Sequence, residues 1–319
     1  MVIRFIFAFA LVVFTTLPAY SQIDVWMDVD VGAGMKERDV DDAVMLIQAF
    51  HSPEVTIRGV SCVFGNSPHS HGYPMTQQIV RQFGPQGLKV YPGASSKKDL
   101  GKKTEAVEAM ADALREKPMH IIAAGPLTNV GTLLQAYPEL NERILSMVIV
   151  AGRRPGQHFA AVPESTRYFP DFNFEHDPAA MQLLLDNGVK IVMAPWEVSS
   201  HVWLRQADLD YLRGSSPTGA WIAETAKSWI AAWKKNNDVD GFTPFDTLAL
   251  AWLTHPELIE YMNVEAWIEE GPDDLAREGS DRTKPYLLVK EQEKGELIYC
   301  YKPLPEFKRV LLQRLIAKP

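Results

Sequence analysis

The sequence predicts an open, mostly parallel α/β sheet of Rossmann-like topology with helices on both faces. Between residues 25 and 194, short apolar runs alternate with longer segments at helical period, which is the pattern of successive βαβ units. The short runs are almost continuously apolar, as strands are when both faces of a parallel sheet are covered. Residues 22–319 approach the size, roughly 250–300 residues, at which one core stops growing, so they are predicted to form one domain.

The predicted elements alternate regularly at first and less regularly later. Starting with a strand, alternating strands and helices are predicted over 25–28, 40–50, 55–64, 75–83, 88–91, 105–116, 121–124, 129–137 and 147–151. A helix over 178–187 ends at Gly188 and precedes a buried strand over 191–194. The remainder is predicted to hold a Trp-rich helical stretch over 220–233 and a helix opening at Pro244. Three strands are predicted over 264–268, 286–289 and 297–301, and a closing helix from 306. In such sheets ligands bind beyond the carboxyl ends of the strands, so the chemistry is expected in the strand-to-helix loops.

The first residues have the composition of a secretory signal peptide. Arg4 gives a positive start, residues 5–13 are apolar, and Ala19 and Ser21 are the small residues of a cleavage site. The apolar run is shorter than the about 20 residues that cross a bilayer, and no second run is long enough. We predict a signal peptide over 1–21 and an exported mature protein, periplasmic or secreted, with no membrane contact after cleavage.

The net charge and the number of cysteines limit the classes of partner and of disulfide framework that the sequence allows. The net charge is −8, and the basic residues form no stripe that could follow a phosphate backbone, which argues against nucleic acid. Two cysteines, Cys62 and Cys300, give no disulfide framework. An oxidising compartment would allow them to pair if the fold brings them together. A small molecule is the expected partner.

Aspartates crowd around the end of the first predicted strand. Strand alternation puts Asp28 and Asp30 on the same side, and Asp39, Asp41 and Asp42 open the first helix. Carboxylates this close favour a bound cation, and an oxygen-only ligand set suits Ca²⁺ first and Mg²⁺ second. The alternative is a helix cap, with Asp39 as the N-cap residue and Asp42 as its N3 partner.

Two later motifs also admit a structural explanation. Thr243 is a candidate N-cap residue, with Pro244 at N1 and Asp246 at N3. The segment Gly125-Pro126-Leu127-Thr128-Asn129 directly follows a buried strand and could be a turn and a helix cap. Each motif alone leaves function open.

Together, in this order, the motifs resemble the inosine-uridine-preferring nucleoside hydrolase family over nearly the whole mature sequence. The matching segments are Asp28-Val29-Asp30 with Asp41-Asp42-Ala43, Gly59-Val60-Ser61 leading to Gly65-Asn66, Gly125-Pro126-Leu127-Thr128-Asn129, Asp171-Phe172-Asn173, and Phe245-Asp246. The resemblance implies that fold, a Ca²⁺ cofactor, and hydrolysis of a nucleoside or similar riboside into ribose and base. It also implies purine or pyrimidine salvage and a homodimer or homotetramer.

The resemblance also assigns roles to individual residues. Calcium ligands would be Asp30, Asp42, the carbonyl of Ala124, and Asp246, with ribose hydroxyls completing the shell. Substrate contacts would be Asp41, Asn66, Asp171, Asn173 and Val150. Asp28 would support the calcium ligands without itself contacting the ion. Asp30 would deprotonate a calcium-bound water that attacks C1′, through an oxocarbenium-like transition state.

The sequence departs from the family in three places. Residues 31–38 make the first loop longer than usual, and 93–106 is shorter than usual. Many family members carry a His before the late metal-binding Asp, and it protonates the departing base; here that position is Phe245. Other candidates for contacts with the base are His69, His71, His158, Trp196 and Trp203.

Two other functions compete with the hydrolase. Phe245 and the long first loop fit a protein that binds ribose or nucleosides and has lost turnover. An apolar run followed by Asp-x-Asp also fits a magnesium-dependent phosphatase of the haloacid dehalogenase type, although Asp41-Asp42 and the Gly125 turn do not fit that plan. The base or aglycone is left open by the sequence.

Overall fold

A computed structural model describes residues 22–162 and 165–317; the predicted signal peptide, 1–21, lies outside them. Within these residues, nine strands form one sheet in the order β3-β2-β1-β4-β5-β6-β9-β7-β8. The strands are β1 (Ile23–Val29), β2 (Val55–Cys62), β3 (Val90–Pro92), β4 (Met119–Ala123), β5 (Ile144–Ile149), β6 (Ile191–Met193), β7 (Ile259–Pro272), β8 (Thr283–Glu291) and β9 (Leu297–Pro303).

Most of the sheet is parallel, as predicted. Strands β1 to β6 and β9 pair in parallel, whereas β7 pairs antiparallel with both β8 and β9. In the centre, Asp28 of β1 lies in register with Ser61 of β2 and Ala123 of β4. The three central strands therefore end side by side, and the loops that follow them meet at one edge of the sheet.

Helices cover both faces. They are α1 (Asp41–Phe50), α2 (His69–Phe83), α3 (Glu105–Glu116), α4 (Thr128–Ala136), α5 (Phe172–His176), α6 (Pro178–Asp186), α7 (Trp196–Ser199), α8 (Gln206–Ser215), α9 (Pro217–Thr225), α10 (Lys227–Asn237), α11 (Thr247–Thr254) and α12 (Phe307–Ile316). One apolar core packs α1, α11 and α12 against the sheet, and another packs α3, α4 and α6. Side chains alternate between the two faces of β1, so Met27 packs in the first core and Trp26 in the second. The predicted α/β fold class is confirmed.

Several boundaries differ from the prediction. The Trp-rich stretch is two helices, α9 and α10, and the short helices α5 and α7 and the helix α8 were not predicted. The helix predicted to open at Pro244 begins at Thr247, because a tight turn from Thr247 N–H to the Pro244 carbonyl (3.2 Å) precedes it. Short helices carry too few residues for a period to be visible in sequence.

Two further features bear on the predictions. Cys62 and Cys300 are both buried and free, so the fold does not pair them. Among residues 22–162 and 165–317, no helix is long and apolar enough to cross a membrane.

Candidate active site

The aspartates of the first loop converge where β1 ends and α1 begins. The backbone N–H of Asp30 donates to Asp42 Oδ1 (3.0 Å), and Asp30 Oδ2 accepts the N–H of Asn66 (2.8 Å). Asp41 Oδ1 accepts the N–H of Asp42 (3.1 Å). Three chain segments, after β1, at the start of α1 and after β2, are thus tied together at one edge of the sheet.

Asp246 joins this group from about two hundred residues away along the chain. One carboxylate oxygen each from Asp41, Asp42 and Asp246 lies within 4.8 Å of the others, and all three side chains are buried. Asp30 is buried beside them, with its carboxylate held by Asn66. We call Asp30, Asp41, Asp42 and Asp246 the acidic cluster.

Asp39 is not the N-cap residue of the first helix, and Asp42 is not its capping-box partner. Helix α1 begins at Asp41 with Val40 as its N-cap residue, which makes no side-chain capping bond. Asp39 Oδ1 instead accepts the N–H groups of Val40 (2.7 Å) and Asp41 (3.2 Å), and Asp42 is bonded to Asp30. The Thr243 cap fails too, since α11 starts directly after Asp246.

Burial of several carboxylates together makes the acidic cluster electrostatically costly. Burial raises the pKa of Asp30 to about 7, with nearby Asp41 and Asp28 adding to the shift, and burial raises the pKa of Asp41 to about 6. Burial and the neighbouring carboxylates hold the pKa of Asp42 and Asp246 well above the usual range. A divalent cation would remove this penalty, because it offsets the negative charges that oppose one another.

A divalent cation fits the donors that this edge offers. Asp42 Oδ2 is buried and accepts no hydrogen bond within the described chain. Ala124, directly after β4, lines the same cavity as Asp30 and Asp246, and its carbonyl accepts a hydrogen bond from Asn173 Nδ2 (2.8 Å). An unpartnered carboxylate oxygen among other carboxylates is an all-oxygen donor set, of the kind that Ca²⁺ and Mg²⁺ prefer.

Asp28 lies behind the cluster and does not line the cavity. Its Oδ1 accepts hydrogen bonds from Ser61 Oγ (2.5 Å) and Asn129 Nδ2 (2.8 Å), while its other oxygen has no partner among the described residues. Burial raises its pKa to about 7. Asn129 also accepts the N–H of Ala94 (2.8 Å), so the Gly125–Asn129 segment does more than cap a helix.

Two motif glycines allow backbones to approach Asp30. A Cβ atom on Gly65, whose φ is +154°, would lie 1.9 Å from Asp30 Oδ2. One on Gly125 would lie 2.9 Å from the Asp30 Cβ. Any larger residue would push the Asp30 carboxylate away from the loops after β2 and β4.

Two polar residues at the start of α5, Asp171 and Asn173, line the same cavity as Asp30 and Asp246. Asn173 Nδ2 donates to the carbonyls of Ala124 (2.8 Å) and Val150 (3.1 Å), which ties α5 to the ends of β4 and β5. Asp171 Oδ2 accepts the N–H of Gly152 (2.8 Å). Burial raises the pKa of Asp171 to about 6, although the charge of Arg153 and the Gly152 bond counteract the rise.

The cavity has a volume of about 430 Å³, and its lining includes a polar group and an aromatic group of residues, which we call the polar end and the aromatic end. The polar end is lined by the predicted residues Asp30, Asp41, Asn66, Ala124, Val150, Asp171, Asn173 and Asp246. The other end is mainly aromatic, with Phe159, Tyr168, Phe169, Phe172, Trp196, Trp229, Trp233 and Phe245. A sugar fits the first end chemically and a flat aromatic base the second.

Only some of the predicted base-contact residues reach this cavity. Trp196 and Phe245 line it, with Trp196 stacked on Phe159 (5.1 Å between ring centroids). The other four do not line it. His71 Nε2 bonds the Ala33 carbonyl (2.9 Å), His69 stacks on Tyr73, His158 stacks on the lining residue Tyr168, and Trp203 packs against Trp233.

Sequence reasoning missed most of the aromatic end. Trp229, Trp233, Asn236 and Asn237 come from α10, and Phe159, Arg167 and Tyr168 from the segment after β5. The tryptophan-rich composition of residues 220–233 was the available signal. It did not reveal which face of the helix would meet the cavity.

The long first loop forms part of the cavity wall. Glu37 and Arg38 line the cavity, Glu37 has a left-handed backbone (φ 57°), and its N–H donates to Ser228 Oγ of α10 (3.3 Å). Arg38 is exposed to solvent at the cavity. The loop therefore joins α10 in covering the site.

Comparisons with known proteins agree with one another. A family model described as inosine-uridine preferring nucleoside hydrolase matches residues 25–294. The pyrimidine-specific ribonucleoside hydrolase RihA of Klebsiella pneumoniae (strain 342) is 27% identical over 257 residues, covering 72% of this chain and 80% of the relative. RihA of Citrobacter koseri is 27% identical over 259 residues with the same coverage.

Solved structures share the fold. A plant nucleoside hydrolase, PpNRh1, superposes with a TM-score of 0.78 at 18% identity, over 92% of this chain and 99% of the other. A purine-preferring ribonucleoside hydrolase from Gardnerella vaginalis gives a TM-score of 0.75 at 20% identity, over 92% and 98%.

Proposed function

We propose that this chain, which belongs to the inosine-uridine preferring nucleoside hydrolase family, cleaves the N-glycosidic bond of a ribonucleoside. In this proposal Asp30 is the general base, and the acidic cluster binds a divalent cation, Ca²⁺ in preference to Mg²⁺. Family membership makes it a hydrolase of N-glycosyl bonds with a small-molecule nucleoside as substrate. The assignment of the cation, the base and the sugar contacts is our proposal. Membership gives the phosphatase alternative no support.

The single observation that carries the proposal is the meeting of the Asp41, Asp42 and Asp246 carboxylates, with Asp30 bonded to Asp42 and lining the cavity beside them. Asp42 Oδ2 is buried without a hydrogen-bond partner in the described chain, which is costly unless a ligand contacts it. We assign Asp30, Asp42, Asp246 and the Ala124 carbonyl as the residues that would hold the ion. The negative charge of Asp41 would also stabilise the bound ion. We assign the Asp41 side chain to a contact with a sugar hydroxyl.

Each residue of the polar end has a role in binding or in proton transfer. When bound, Ca²⁺ would offset the carboxylates, lower the pKa of a water and hold the vicinal sugar hydroxyls. Asp30 takes the proton of the water that attacks C1′, and Asn66 N–H fixes that carboxylate. Asp41, Asn66, Asp171 and Asn173 bind sugar hydroxyls, and Val150 packs beside the ribose. The carboxylates favour the positive charge that develops on the ring.

The aromatic end is assigned to the base. Phe245 cannot donate a proton, so the donor must come from other groups that line the cavity. No histidine lines it within the described residues; Tyr168 and Arg167 supply O–H and N–H groups there. We assign stacking of the base to Trp196 and Phe159 and hydrogen bonding of the base to Tyr168 and Arg167.

A ribose- or nucleoside-binding protein without turnover is the second candidate, and Phe245 at the base end favours it. The test measures free ribose released from inosine, uridine and p-nitrophenyl riboside, with Ca²⁺ and with a chelator. Ribose binding is measured by calorimetry under the same conditions. Release that stops with the chelator and returns with Ca²⁺ supports the hydrolase mechanism. Calcium-dependent binding with no release from any substrate would favour the binding protein.

A further inference from the structure

A compact group of two cations and two anions lies behind the sugar end of the cavity. Arg153 Nη1 donates to Asp274 Oδ2 (2.9 Å), and its Nη2 lies 3.4 Å from Glu175 Oε1. Lys284 Nζ lies 2.6 Å from Glu175 Oε1 and 2.7 Å from Asp274 Oδ1. We call Arg153, Glu175, Asp274 and Lys284 the four-charge cluster.

Stability alone is a weak reason for this arrangement. Arg153 is only 1% exposed, and the other three side chains are at most 16% exposed. Burying ion pairs costs desolvation that apolar side chains of the same volume would avoid. The contacts of the cluster with the cavity wall suggest what it does instead.

One set of contacts fixes Asp171. Glu175 Oε1, already bonded to Lys284, accepts the backbone N–H of Asp171 (2.9 Å). The Asp171 carboxylate accepts the N–H of Gly152, the residue before Arg153. Arg153 is itself anchored to β8, through its N–H to the Leu287 carbonyl (3.0 Å) and its carbonyl to the Val289 N–H (2.9 Å). Both the backbone and the side chain of Asp171 are therefore held by the cluster and its neighbours.

A second contact supports the aromatic end. The Arg153 guanidinium lies 4.1 Å from the centroid of the Phe159 ring, and Phe159 stacks on Trp196. A buried cation over a ring is a directional contact that fixes the plane of the ring. Phe159 and Trp196 both line the cavity.

We infer that the four-charge cluster is a positioning device that holds Asp171 for a sugar hydroxyl and Phe159 against the base. Asp274 follows β7 and Lys284 lies on β8, and no described residue of this hairpin lines the cavity. The hairpin therefore contacts the cavity wall through Arg153 and Glu175, and also through His158, which lies 3.3 Å from Asp274 and stacks on Tyr168. The inference rests on the proposed function, because it takes a riboside as the ligand.

A double-mutant cycle between Glu175→Gln and Asp171→Ala tests the inference. Glu175→Gln is expected to lower kcat/KM about tenfold, mainly through a higher KM, since it disturbs a contact with bound sugar. In the Asp171→Ala background the same change should cost less than about twofold, because coupled residues are not additive. Equal losses in both backgrounds would overturn the inference.

A second variant and a second readout guard against misfolding and against a failed assay. Lys284→Met changes the hairpin side of the cluster and should show the same coupling to Asp171→Ala. If turnover is absent, the same double-mutant cycle is measured on ribose affinity, by calorimetry with Ca²⁺. Failure of the hydrolase proposal removes turnover, whereas failure of this inference removes the coupling between the two substitutions, so the two failures are distinguishable. Additive effects of Lys284→Met on ribose affinity would also refute the positioning role.

The matched control is Glu54→Gln, which breaks the buried pair of Glu54 with Arg314 (2.8 Å), outside the cavity lining. It should lower the melting temperature and leave KM within about twofold of wild type, with no coupling to Asp171→Ala. If Glu54→Gln raised KM as much as Glu175→Gln does, the effect would be general destabilisation and the inference would be wrong.

Discussion

The two ends of strand β1 carry buried aspartates in opposite electrostatic settings. At its amino end, Asp24 lies 2.5 Å from both Arg58 and Lys117. Burial alone would raise the pKa of Asp24, but the hydrogen bonds from these two cations outweigh it and lower the pKa. At the carboxyl end, Asp30 has aspartates as neighbours, and burial raises its pKa to about 7.

The comparison shows that this fold can neutralise a buried aspartate with its own cations. At the acidic cluster, no lysine or arginine among the described residues forms a salt bridge with the carboxylates, although the aspartates there are more numerous and similarly buried. Stability would favour the Asp24 arrangement at both ends. The missing positive charge is therefore what we expect a divalent ion, and the sugar cation of the transition state, to provide.

The largest effect is expected from Asp246→Ala. Removing this carboxylate should weaken the bound ion and with it every step that depends on the ion, so kcat/KM should fall on the order of 10⁴-fold, several kcal/mol of transition-state stabilisation. The measurement is ribose release across a Ca²⁺ titration. Full activity at low Ca²⁺ would remove Asp246 from the site.

Asp30→Asn separates the base from the ion. The amide keeps an oxygen for the cation but cannot take a proton, so turnover should fall about 10²–10⁴-fold while Ca²⁺ affinity stays close to wild type. Calorimetric Ca²⁺ binding and ribose release are measured on the same preparation. Turnover close to wild type would show that another group is the base.

Calcium itself should stabilise the fold. An ion that binds only the native state at a hundredfold excess over its Kd adds about 2.7 kcal/mol, so the melting temperature should rise by several degrees on going from chelator to Ca²⁺. The rise should be absent in Asp246→Ala. An equal rise in that variant would mean that calcium acts elsewhere on the molecule.

Asp24→Asn is the smallest change and the control for the others. It should leave turnover unaltered and cost at most about 1 kcal/mol, because Arg58 and Lys117 are partly solvated. Since the folded pKa of Asp24 is lowered, its pairs stabilise the fold above its ordinary pKa, about 3.9, and are lost as pH falls below that value. Melting curves at pH 7 and pH 3 should therefore differ less for the variant than for wild type.

Much of the candidate site could be predicted because its residues sit at element boundaries. The strand that ends before Asp30 and the helix that opens at Asp41 are visible as apolar periodicity in the sequence. The sequence left open the alternative that Asp39 is the N-cap residue with Asp42 as its N3 partner, because the same residue types cap helices and bind cations. Only the bond from Asp30 N–H to Asp42 distinguished them.

The aromatic end and the four-charge cluster could not be predicted. Phe159, Trp229 and Trp233 are ordinary apolar residues in sequence, and only the packing of α10 and of the segment after β5 turns them toward the cavity. Asp274 and Arg153 lie 121 residues apart, and nothing local records that they pair.

The sequence by itself determined the parallel α/β architecture, the family and the order of the acidic motifs, because hydrophobic period and local motifs are properties of short segments. Export through a signal peptide over 1–21 stays a prediction. Tertiary structure alone decided which carboxylates lie together, which aspartates pair with a lysine or arginine, and which aromatic rings line the cavity. Those properties depend on contacts between segments far apart in the chain, and the burial that makes charge so costly exists only once those segments have packed together.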